Sequence, residues 1–77
     1  MNKQRRTKLS EAHSLLGKAA FIVEQAKDDE QDSFDNLPEG FQSSEKGESM
    51  EEAIDELQLT IDSINDAMTH IDCARNL

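Results

Sequence analysis

Carboxylates dominate the side chains able to do chemistry, with seventeen Asp and Glu against eight Lys and Arg and a formal charge of −9. The densest run, Asp28-Asp29-Glu30-Gln31-Asp32-Ser33-Phe34-Asp35, invites a calcium reading. It lacks the glycine and the closing glutamate that the twelve-residue EF-hand loop needs. A solvated helix end is the favoured reading. His70 and Cys73 stand three apart, and an antiparallel hairpin could bring His13 beside them as a third zinc-type ligand. Without a CxxC or HxxxH pair the signal is weak, and ordinary polar surface is preferred. No metal and no cofactor is expected. There is no Tyr or Trp, no glycine-rich phosphate loop and no nucleophile–base pair, so the chain reads as a non-enzyme.

The acids of the second half are more suggestive. Glu48, Glu52, Asp55, Glu56, Asp62 and Asp66 fall on the sides and back of a helical pattern. At about 1.5 Å rise per residue, neighbouring acids in that row lie roughly 5–10 Å apart, near the spacing of nucleic-acid phosphates. Such a row can occupy the groove of a nucleic-acid-binding protein, or it can be a solubilising face. Leu59 points outward among the acids, and Phe21 stands one turn from Gly17. These two apolar residues are candidate anchors for a partner. The candidate docking set is therefore Asp55, Glu56, Leu59, Asp62, Asp66 and Phe21.

Two helical patterns must position these groups. In the second, Met50, Ile54, Leu57, Ile61, Ile64, Met68 and Ile71 recur at alternating spacings of four and three, the a and d positions of a heptad seam. Ala53, Ala67 and Ala74, with Thr60 between them, make one shoulder of that seam small. Ser49 and Glu52 read as a capping box, which predicts a helix over about 49–75. The first helix is predicted over about 8–29. Leu9, Ala12, Leu16, Ala19, Val23 and Ala26 form its seam, and Leu15, Ala20 and Ile22 widen it to roughly 160°, more than one neighbouring helix covers.

Between them, residues 30–48 carry turn signals at Asp35-Asn36, Pro38-Glu39-Gly40 and Lys46-Gly47. They also carry Phe34, Leu37 and Phe41, which predicts an ordered loop with these residues as anchors over the end of the hairpin. Functional docking by the loop is the alternative. The fold expected is a single all-α domain over 1–77, an antiparallel two-helix hairpin with a long ordered loop, dimerising into a four-helix bundle because so short a chain has a thin core.

Charge is unevenly divided. Residues 1–27 hold six bases and two acids, whereas residues 28–77 hold two bases and fifteen acids. In an antiparallel hairpin Lys3, Arg5, Arg6 and Lys8 could meet Asp62, Asp66 and Asp72, each exposed pair contributing only about 0–1 kcal/mol. The net charge disfavours direct nucleic-acid binding and anionic membranes. No segment has the ~20 apolar residues of a membrane span, the basic start lacks the apolar core of a secretory signal, and one cysteine fits a reducing cytoplasm.

The segment from Asp35 to Glu52, DNLPEGFQSSEKGESMEE, resembles short acidic helical proteins encoded by bacterial phages, prophages and mobile elements. They share an N-L-P-E-G-[LF]-Q-x-S-E-x-G-x-x-M-E core between two helices. The resemblance covers the loop and the second helix, and the first helix only by pattern. It carries over no activity; it implies an accessory protein in the cytoplasm of a bacterial host. The expected function is a protein-binding module inhibiting or adapting a host or defence protein with a basic, nucleic-acid-handling surface. One alternative is a homo-oligomeric structural or assembly protein. Another is an oligomeric sponge holding a small anionic nucleotide through Arg5, Arg6 or Lys18.

Overall fold

The computed structural model describes residues 1–77 as two antiparallel helices and no strand, α1 over Lys3–Asp35 and α2 over Glu45–Arg75. Both helices are longer than their apolar patterns. α1 begins five residues before Lys8 because Asn2 caps it, its side-chain oxygen accepting from the Arg5 N–H at 2.9 Å. It runs on through the acid-rich segment to Asp35, so Phe34 belongs to its last turn and not to the loop.

α2 begins at Glu45, four residues before the expected Ser49. Ser44 is its cap, accepting from the Gly47 N–H at 3.3 Å. Ser49 lies inside the helix, so the Ser49–Glu52 capping box does not form. The loop is thereby only Asn36–Ser44, tight enough to be held by turns. The Phe41 N–H bonds the Pro38 carbonyl at 3.0 Å and the Ser44 N–H bonds the Phe41 carbonyl at 3.1 Å. Gly40 supplies the positive φ of 88° that the first of these turns uses. The Gln42 side chain reaches back to donate to the Phe34 carbonyl at 3.3 Å, tying the loop to the end of α1.

That folding-back presses the loop backbone onto Gly47, the one fully buried residue of the chain. A Cβ there would stand 2.6 Å from the Phe41 carbonyl oxygen and closer still to that of Gln42. Glycine is required by contact, since Gly47 lies within the helix. Leu37 is half-buried, but Phe41 is 54% exposed and does not cover the hairpin end as expected.

The helices meet in one constant register, with Ser10 beside Arg75, His13 beside Asp72, Gly17 beside Met68 and Lys27 beside Gln58. The heptad seam Met50, Ile54, Leu57, Ile61, Ile64, Met68 and Ile71 is half-buried throughout and faces Leu9, Ala12, Leu16, Ala19 and Val23 of α1. Beyond Val23 the α1 seam turns polar: Ala26 is exposed, and Lys27, Glu30 and Gln31 are half-buried ahead of Phe34. No apolar side chain is fully buried. The result is a rod of 58 × 15 × 12 Å. Its 17.4 Å radius of gyration compares with about 11–12 Å for a compact chain of this length.

Candidate functional site: the acidic back of α2

Placing residues at 100° steps from the seam puts Glu48, Glu52, Asp55, Asp62 and Asp66 on the face of α2 turned away from α1. All five are exposed, as is Glu56 on the small-residue shoulder. Leu59 sits at the centre of the row, 57% exposed, with Asp55 and Glu56 one turn before it and Asp62 one turn after. The candidate docking residues on α2 thus share one continuous surface. Phe21 does not join it. At 60% exposure it lies on α1, on the edge that also carries Gly17, and forms a separate apolar spot.

None of these candidate carboxylates has an ion-pair partner in the chain. The only bridged acid is Asp72, which lies 3.3 Å from His13 Nε2 and accepts from Arg75 Nη2. The expected pairing of Lys3, Arg5, Arg6 and Lys8 with Asp62, Asp66 and Asp72 is therefore not formed. The register explains this: Ser10 already stands beside Arg75, so residues 3–8 lie past the last turn of α2. The Arg75 hydrogen bond holds the Asp72 carboxyl below the usual carboxylate range, helped by the charges of His13 and Arg75 and opposed by partial burial. Arg75 Nη1 also donates to Ser10 Oγ at 2.9 Å, which closes the open end of the hairpin.

Asp62 differs from its neighbours because it is linked to α1 through an amide. Lys27 Nζ donates to Gln58 Oε1 at 2.6 Å, and Gln58 Nε2 donates to Asp62 Oδ1 at 3.0 Å. The amide passes the lysine's polarity to the carboxylate and ties this one member of the row to α1. Sequence reasoning missed this relay. Its only signal was a lysine standing one residue beyond the alanine of the α1 seam.

No group of three His, Cys, Asp or Glu side chains is gathered closely enough to hold a metal ion, and His13 turns to Asp72 and not to Cys73. Within one hairpin Arg5 and Arg6 stand roughly 18–20 Å from Lys18 along the axis, so they do not converge on one small anion. No helix is long and apolar enough to cross a membrane. Comparison with protein-family models, with curated proteins and with solved structures finds no match.

Proposed function

We propose that this chain is a non-enzymatic protein-binding module that docks the back of α2 onto a basic surface of its partner. The observation that carries this reading is the exposed Leu59 set among carboxylates without cationic partners in the chain. An apolar centre rimmed by charge of one sign suits a partner whose own surface is basic around a small apolar recess. The charges steer encounter and set orientation, and the leucine contributes burial. A protein that handles nucleic acid presents such a surface, and the acid row extends along α2 at near-phosphate spacing. The phage-like loop motif supports an accessory role in the cytoplasm of a bacterial host, against a host or defence protein.

The module acts as a dimer, two hairpins forming a four-helix bundle. Support comes from a seam that is nowhere fully buried. The same observation favours a second reading, a structural protein whose only partner is itself. Charge reversal separates the two. With Asp55, Glu56, Asp62 and Asp66 all changed to Lys, capture of a partner from bacterial lysate is expected to weaken by about 100-fold or more. Helicity should be kept, and wild-type capture should fade as salt is raised. Capture unchanged by the reversal, or no capture at all by the wild type, would remove the docking reading and leave self-assembly.

A further inference from the structure

The two long edges of the hairpin are chemically different. One edge carries the polar links between the helices, His13 to Asp72 and Lys27 to Gln58, with Gln31 and Glu51 further along. The other edge has no such link. On it α1 presents Leu15 and Ile22, 56% and 63% exposed, and α2 presents Ala53, Thr60, Ala67 and Ala74. Large residues thus stand on one helix and small ones on the other.

We propose that this apolar edge is a homodimer interface with its two-fold axis parallel to the helices, so that Leu15 and Ile22 of each copy seat on the small-residue shoulder of α2 in the other. The inference rests on the dimer reading above and specifies its surface and symmetry. Three observations support a second copy as the occupant.

The first is area. The chain exposes 5734 Å², whereas a compact monomer of its mass is expected to expose about 4,700 Å². The excess, on the order of 1,000 Å² per chain, is enough for the roughly 800 Å² that each partner buries in a standard specific interface.

The second is register. Rotation about an axis parallel to the rod leaves every residue at its own level. α1 of one copy then crosses α2 of the other at the levels already used inside the hairpin. In that register Leu15 falls between the levels of Ala74 and Ala67, and Ile22 between those of Ala67 and Thr60. Each large side chain meets a gap between two small ones, the knob-and-hole arrangement of helix bundles.

The third is charge. α1 holds six bases and seven acids, while α2 holds two bases and nine acids. A parallel axis sets α1 against α2 and sends the two acidic helices to a diagonal. An axis across the rod would lay α2 on α2, two segments of formal charge −7 side by side. Asp29 and Glu56 share a level in the favoured arrangement, so the apolar contact is confined to the half of the rod from Ala74 to Thr60.

Sedimentation and light scattering on the full chain test the pairing. The wild type should have twice the 8.7 kDa chain mass. L15E/I22E should fall to the single-chain mass at the same concentration, whereas F21E, an equally exposed site on the other edge, should remain double. A monomeric wild type would overturn both the dimer and this interface, and a dimeric L15E/I22E would overturn the interface. Because L15E/I22E could simply unfold, spin labels on an otherwise intact chain give a second test. In E39C/C73S a parallel axis brings the two loops to one end, at roughly 15–30 Å given helix spacings of about 8–10 Å. Labels separated by most of the 58 Å rod would overturn the parallel axis and leave the dimer standing.

Discussion

α1 and α2 are nearly equal in length and share one seam, yet their charges run in opposite senses relative to the helix dipole. α2 follows the dipole, with Glu45 and Glu48 in its first turn and Arg75 in its last. α1 has no acid in its first turn and no base in its last. It opens on Lys3, Arg5 and Arg6 and closes on Asp32 and Asp35. Each such mismatch at an exposed end costs about 0.3–1 kcal/mol. End charges therefore favour α2 and oppose α1, which has the Asn2 cap and its contact with α2 to offset them.

The sharpest way to probe the difference is at the two helical glycines. Gly47→Ala at the start of α2 should gain helix propensity and still lose, because the new Cβ meets loop carbonyls that cannot move cheaply. The expected cost is about 1–3 kcal/mol, read as a fall in melting temperature of roughly 4–24 °C. Gly17→Ala in α1 meets only the flexible end of Met68, at 3.5 Å. It should stabilise by about 1 kcal/mol, a rise of roughly 4–8 °C. Stabilisation by Gly47→Ala as well would mean that the loop does not clamp the start of α2.

A smaller effect tests the dipole directly. Arg5→Glu with Arg6→Glu should stabilise the hairpin, by about 0.3–1 kcal/mol for each change, and Glu45→Lys with Glu48→Lys should destabilise it by a similar amount. Thermal melts at low salt should show the opposite signs, and the difference should shrink as salt rises. If both pairs shift the melt the same way, the contrast between the helices is not electrostatic.

The smallest expected effect lies at the open end. The Asp72 carboxyl is held below its ordinary range, so the pairing adds stability above the unfolded-state value near ~3.9. That stability is lost as pH falls through the lower folded-state value. Asp72→Asn should therefore melt slightly below wild type at pH 6, and the gap should narrow as acid protonates the carboxylate. A gap that persists in acid would show that the carboxylate charge is not what matters there.

What was readable in advance follows the same divide. The α2 seam was legible because strong apolar residues repeat without interruption from Met50 to Ile71. The wide apolar face of α1 was also legible as more than one helix could cover, and Leu15 and Ile22 are indeed left exposed. The ends were not legible. α1 begins and ends in polar residues with no periodic signal, and only the Asn2 cap and the turn at Asn36 mark its limits. At α2 the pattern pointed to Ser49 alone, and the cap is Ser44. Ser49 has the glutamate that a capping box favours, while Ser44 has Gly47, which looks like a helix breaker until the loop is seen pressed against it. Of the candidate docking surface, the acid row could be read from spacing. The lack of pairing could not, because it depends on a register set by contacts between residues about sixty positions apart, such as His13 with Asp72.

The extended shape of the hairpin has a hydrodynamic consequence. A rod about four times longer than it is wide meets more drag than a sphere of equal mass. A single chain should therefore emerge from a sizing column calibrated with globular standards ahead of a rounder protein of its own mass. Two hairpins packed side by side thicken the rod without lengthening it, so pairing shifts that elution less than the doubled mass implies.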